Sequence, residues 1–160
     1  MSETLPSGIT LRPASTGDCR ALWEWRNEPL TREASFQTDG IPYERHVEWF
    51  SKKLDSPDTR IWIVQDERSR RVGYVRFQIQ DGEAEISVSL DPAERGKGYG
   101  SAAVRMATDS FLASRQAGRV KAYIKPGNPA SVRSFEKAGF ETVGRTMVSG
   151  AEVIEMVRSR

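Results

Sequence analysis

The sequence predicts a mixed α/β fold, and three observations predict it. Strand-like and helix-like periods alternate from residue 9 to residue 157 with no break in composition. Two alternating runs, 75–79 and 84–90, flank an Asp81-Gly82 hairpin signal. A glycine-rich turn then leads from the second run into a long helical period. The expected order is β-α-α-β-β-β-α-β-α-β-β, in one domain over residues 1–160.

Each element has a local reason. Residues 9–13 read as a short strand ended by Pro13. Ser15, with Asp18 three residues on, starts a helix in which Cys19, Leu22, Trp23 and Arg26 follow at helical spacing. Pro29 disfavours helix at Glu28, so that helix stops there. Residues 30–40 have no clear period and read as a loop. Pro42 opens a second helix carrying Val47, Phe50 and Leu54. Residues 61–64 form an apolar strand. Val75, Phe77 and Ile79 alternate with Tyr74, Arg76 and Gln78. After the turn, Ala84, Ile86, Val88 and Leu90 alternate with Glu85, Ser87 and Ser89, so both strands have one apolar and one polar face. Val104, Ala107 and Phe111 form the stripe of the third helix, and Val120, Ala122 and Ile124 alternate as a strand. Asn128-Pro129 is a good helix start, and Gly139 a good helix end. Residues 140–148 and 151–157 read as a terminal hairpin around Ser149-Gly150.

Composition excludes several function classes. The chain is 38% hydrophobic and 29% charged, sufficient for a core and unlike a disordered chain. The net charge is +2 with both signs mixed along the sequence, so no basic stripe marks a nucleic-acid partner. Cys19 and His46 are the only residues of their types, which rules out an internal disulfide and a Cys or His cluster for a metal. No apolar run approaches the roughly 18 residues that span a bilayer. Residues 1–6 lack a leader's basic and apolar regions, so a cytoplasmic location is expected.

The turn Arg95-Gly96-Lys97-Gly98-Tyr99-Gly100 admits two explanations. A plain structural turn is one, although three glycines lose much backbone entropy on folding. A phosphate cradle is the other: glycines let backbone N–H groups approach an anion, and the helix that follows points its positive end there. A P-loop pattern does not occur, and the dinucleotide fingerprint fails because Ser101 stands where the third glycine belongs.

Arg95-x-x-Gly98-x-Gly100 resembles the coenzyme A pyrophosphate loop of the GNAT acetyltransferases. Asn128-x-x-Ser131-x-x-x-Phe135-Glu136-Lys137-x-Gly139-Phe140 resembles the block that follows in that superfamily. The element order matches as well, so the resemblance covers residues 8–158. It implies a central mixed, mostly antiparallel sheet of about seven strands flanked by about four helices. It also implies acetyl-CoA as co-substrate, with no metal. The backbone of Val88, Ser89 and Leu90 would hold pantetheine, and that of Arg95, Gly96, Lys97, Gly98, Tyr99, Gly100 and Ser101 the pyrophosphate. Asn128 would contact the arm near the thioester, Ser131 and Phe135 would line the same groove, and Lys97 and Lys137 would add charge near the phosphates.

The implied chemistry is direct transfer of acetyl to a neutral amine, with a backbone N–H stabilising the developing oxyanion. Phe135 stands where many members have a tyrosine that protonates the leaving sulfur, and phenylalanine cannot do so. Ser131, one turn earlier on the same face, is the nearest replacement, or else a first-turn residue satisfying backbone groups. Glu85 is a candidate base, or else a solvated carboxylate on a sheet face; His46 is a further candidate.

The acceptor is read from the first half. Trp23-Glu24-Trp25-Arg26-Asn27, His46-x-x-Trp49-Phe50 and Gly73-Tyr74-Val75-Arg76-Phe77 resemble a sub-branch that acetylates the 4-amino group of a UDP-linked amino sugar in pseudaminic acid formation. That resemblance implies a small-molecule acceptor bound by Arg26, Asn27, Arg32, His46, Trp49 and Arg76. Arginines suit a diphosphate and aromatic rings suit uracil. Trp23 and Trp25 point to different sides of their helix, so at least one packs in the core. Two other readings stand beside it: an N-terminal acetyltransferase resembling those of ribosomal proteins, and a non-catalytic coenzyme A module. Monomer and homodimer are both compatible with the sequence.

Overall fold

The computed structural model describes residues 8–34 and 39–160. Residues 1–6, read above as carrying no leader, and residues 35–38 of the expected loop lie outside them. Among the described residues seven strands form one sheet in the order β1-β2-β3-β4-β5-β7-β6. The strands are β1 Thr10–Pro13, β2 Thr59–Gln65, β3 Arg71–Gln80, β4 Glu83–Leu90, β5 Arg119–Ile124, β6 Glu141–Val148 and β7 Ala151–Ser159. All neighbours are antiparallel except β4 and β5. The helices are α1 Cys19–Asn27, α2 Pro29–Ala34, α3 Tyr43–Asp55, α4 Tyr99–Ala113 and α5 Pro129–Lys137.

The expected mixed α/β architecture is observed, with one correction. Residues 29–34, mostly expected as loop, form α2. A six-residue helix is too short to show a hydrophobic period. Its start is fixed by chemistry that the pattern does not display: Glu28 Oε2 accepts from the Thr31 backbone N–H at 2.9 Å and from its hydroxyl at 3.0 Å. Pro29 therefore ends one helix and occupies the first position of the next.

Strand alternation divides the core in two. Val75, Phe77, Ala84 and Ile86 face α4, where Phe77 stacks on Phe111 at 4.4 Å between ring centres. Ile61, Ile63 and Tyr74 face α1 and α3 and pack with Leu22, Trp25 and Phe50. Trp25 is the tryptophan of α1 that packs in the core, 5% exposed and stacked on Tyr74. Asp18, buried just before α1, accepts from Arg12 at 2.7 Å and 2.8 Å, from Arg71 at 3.2 Å and from the Ser15 N–H at 2.8 Å. Burial pushes its carboxyl up, but these donors outweigh burial and hold it at about 2.

Candidate active site

β4 and β5 pair only at Glu83–Arg119, Ala84–Val120 and Glu85–Lys121. Both strands continue past the last rung, β4 against β3 and β5 against β7, but no longer against each other. The direction of the freed backbone follows from register. Asp91 N–H bonds to Val72 O at 2.8 Å, continuing the β3–β4 ladder beyond Gly73–Leu90. Bonding alternates along an antiparallel ladder, so Ser87 and Ser89 bond to β3, whereas Val88 and Leu90 turn their N–H and C=O towards the gap. Of the three residues expected to offer backbone to a pantetheine arm, Val88 and Leu90 can and Ser89 cannot. Gly73, paired with Leu90, lets β3 approach β4 closely on the other side. A Cβ on it would lie 2.4 Å from Ser89 O and 2.8 Å from the Leu90 side chain.

The glycine turn sits at the open end of this gap. Gly98 is the N-cap of α4 with φ 84°, a left-handed conformation that a side chain strains. The first N–H groups of α4 are thus presented over a bend that glycine alone makes cheaply. Two side chains of the turn are committed elsewhere. Arg95 donates to Glu28 Oε2 and Thr31 Oγ1, both at 2.9 Å, tying the turn to the start of α2. Lys97 bonds Glu94 at 3.2 Å. Ser101 donates to Gly98 O at 3.3 Å. Tyr99 packs partly buried on the core beneath α4.

α5 lies beside α4, with Ser134 Oγ 3.9 Å from where a Gly100 Cβ would stand. Asn128 is its N-cap and accepts from Ser131 N–H at 3.3 Å. The Ser131 hydroxyl is half-buried and bonds to no described residue. Phe135 is not a groove residue. It is 3% exposed and meets Phe140 edge-on at 5.1 Å, because a helix on a sheet turns its bulkiest apolar residue inward. Lys137 is exposed at the far end of α5, where its carbonyl accepts from Arg105.

The opposite face of β3 and β4 carries the polar residues. Glu85 lies between Gln78 and Lys121 in register and makes no ion pair with a described residue. Ser89 faces the same way with a buried hydroxyl that has no partner among the described residues. Tyr123 follows Lys121 on the same face of β5, past the last rung. Its phenol was not foreseen; strand alternation alone would have placed it there. Lys121 is held above its ordinary value by the Tyr123 hydroxyl and by Glu83.

Two residues expected to bind the acceptor are engaged within the fold. Asn27 donates to Trp23 O and Ile41 O, both at 3.1 Å, and accepts from Ile41 N–H at 2.6 Å. These three bonds pin the chain after α2 to the end of α1. His46 is fully buried. Arg26 Nη1 lies 3.0 Å from its Nδ1, and its Nε2 lies 2.8 Å from Cys19 O. A guanidinium can only donate and a carbonyl can only accept, so the ring is neutral with its proton on Nε2. Burial first, and Arg26 next, push its pKa down. Both nitrogens are engaged, which leaves none to take a proton from an amine.

Arg26, Trp49 and Arg76 do come together. The Arg26 guanidinium lies 3.9 Å from the Trp49 ring centre and that of Arg76 5.3 Å. Arg32 is not among the residues on that ring; its Nη1 lies 3.6 Å from where a Gly40 Cβ would stand, on the side of Asn27.

Among the described residues no group of His, Cys, Asp and Glu is placed to hold a metal. No helix of theirs is long and apolar enough to cross a membrane.

Comparison with known proteins bears directly on this arrangement. The profile of the acetyltransferase (GNAT) domain matches residues 9–141. A putative phosphinothricin acetyltransferase of Bacillus subtilis is 30% identical over 147 residues, 85% of this chain and 86% of that protein. The aminoglycoside acetyltransferase AAC(6')-Ib, solved with coenzyme A and kanamycin, superposes with a TM-score of 0.83 at 22% identity over 95% of each chain. The spermidine N-acetyltransferase of Vibrio cholerae, solved with coenzyme A and spermine, gives 0.85 at 22% identity over 96% of each chain. The sheet with its parted strands, the glycine turn capping α4 and the match over most of its length together show that this chain belongs to the GNAT family of N-acetyltransferases.

Proposed function

We propose that the chain holds acetyl-CoA between β4 and β5 and transfers the acetyl group to a primary amine presented on the Glu85 face of the sheet. The single observation that carries this is the pairing of β4 with β5 at three positions only, with a helix N-terminus at the mouth of the resulting gap. Acetyl-CoA supplies the activated acyl group. The chain supplies the rest. The gap-facing N–H groups of Val88 and Leu90 bond acceptor oxygens of the bound arm and of the reacting carbonyl. The free N–H groups of α4 and its dipole hold the pyrophosphate. Glu85, unpaired and half-buried, takes the amine proton directly or through water. Ser131 offers the hydroxyl that Phe135 lacks, one turn from the core end of α5.

The acceptor we favour is a UDP-linked amino sugar. Its support is the resemblance of the first-half segments and the Arg26–Trp49–Arg76 cluster, now without Asn27 and His46 as direct contacts. Calorimetry of acetyl-CoA binding tests the first half of this reading. Gly98→Glu should abolish binding, because it strains the turn and places a carboxylate at an anion site; unchanged affinity would overturn it. Melting of the acetyl-CoA-saturated protein with UDP tests the second. UDP at a hundred times its dissociation constant should stabilise by about 2.7 kcal/mol. No shift at millimolar UDP would remove the nucleotide sugar and leave acetyl transfer standing.

A further inference from the structure

Arg26 and Arg76 share one indole, and neither meets a carboxylate among the described residues. Arg26 makes its hydrogen bond to neutral His46, and Arg76 makes none. A third cation, Lys53, stands on the next turn of α3 and bonds Gln78 Oε1 at 2.8 Å. Burial, then the nearness of Arg76, depresses Lys53; burial and Arg76 also depress Arg26. Like charges placed together in a half-buried setting without counter-charges oppose folding, and such arrangements concentrate at functional sites.

A chain of contacts holds the Arg26 guanidinium in place. Cys19 O accepts from His46 Nε2, His46 Nδ1 accepts from Arg26, and Phe50 stacks on the imidazole at 5.8 Å and 10°. His46 is therefore a positioning residue that holds one guanidinium against Trp49. One of five N–H donors of Arg26 is spent on this.

We propose that Arg26 and Arg76 on Trp49 form an anion subsite, so that this enzyme selects amines carrying a carboxylate or phosphate and rejects polyamines. This rests on the acetyl-transfer reading and deepens it. It also separates the chain from the structural neighbours solved with kanamycin and with spermine. A polyammonium acceptor would meet three cations here.

The test is free-thiol release from acetyl-CoA with matched acceptors: methionine against methioninamide, glucosamine 1-phosphate against glucosamine, and spermidine. The anionic member of at least one pair should be preferred by about tenfold to a hundredfold in kcat/KM, the range of one charge-assisted pair. Preference confined to the first pair identifies a carboxylate, and to the second a phosphate. Arg76→Gln should erase that preference while leaving the affinity for acetyl-CoA unchanged. Equal or better use of the neutral acceptors or of spermidine would overturn the subsite and leave acetyl transfer intact. Absence of thiol release with every acceptor, despite acetyl-CoA binding, would overturn both.

Discussion

His46 has a protonation state written into its surroundings. A proton on Nδ1 would face the Arg26 guanidinium, so the folded protein favours the neutral ring and lowers its pKa from 6.5. The unfolded chain then binds the proton more readily below that value. Stability is fully present above about pH 6.5 and is lost as the pH falls from there towards the folded pKa. Melting curves across this window should show the loss, and His46→Gln should flatten it, because an amide can accept from Arg26 and donate to Cys19 O without titrating. An unaltered slope in the variant would place the titration elsewhere. None of this was legible in the sequence. A polar residue among aromatics looks the same whether it meets an acceptor or a backbone carbonyl. The partners of Asn27 and His46 are Ile41 and Cys19, brought to them only by the packing of α1 against α3. The glycine turn and the Asn128 cap were legible because their chemistry closes within a few residues.

At the scale of elements, the same contrast holds between amphipathic and polar determinants. α4 follows from its apolar stripe, α5 from its Asn128 cap and Gly139 end, and β3 and β4 from their alternation; of the stripe read in α3, Phe50 is buried but Val47 is exposed, and His46 takes the inward position beside it. α2 escaped because its start depends on Glu28 and its anchor is Arg95, 67 residues away. The start of α1 depends on Asp18, which gathers β1, β3 and the first helical turn through Arg12 and Arg71. Its folded pKa of about 2, against 3.8 in the free residue, makes this a stabilising anchor above about pH 4 that is lost as the pH falls to about 2. Asp18→Asn should cost roughly 2 kcal/mol at neutral pH and remove that acid-dependent portion of the unfolding curve. Chemical denaturation at pH 7 and pH 3 checks both; equal costs at the two pH values would deny the anchor its charge.

Across the whole molecule, three rungs join two half-sheets, β1–β4 and β5–β7–β6. Amide exchange reads this seam directly. Ser87 and Ser89 donate into β3, whereas Val88 and Leu90 donate to nothing on β5, so the latter pair should exchange faster in the free protein and slow when acetyl-CoA binds. Uniform protection along β4 without ligand would mean that the strands do not part. The seam also coincides with an order along the chain. The residues that we assign to the amine and its proton, Arg26, Trp49, Arg76 and Glu85, all precede the stretch assigned to the coenzyme, which runs from Val88 and Leu90 through the glycine turn to α5. Donor and acceptor recognition are thus written on consecutive stretches of one polypeptide. On this reading a change of amine calls for substitutions only before Val88, with the stretch that holds the coenzyme left as it is.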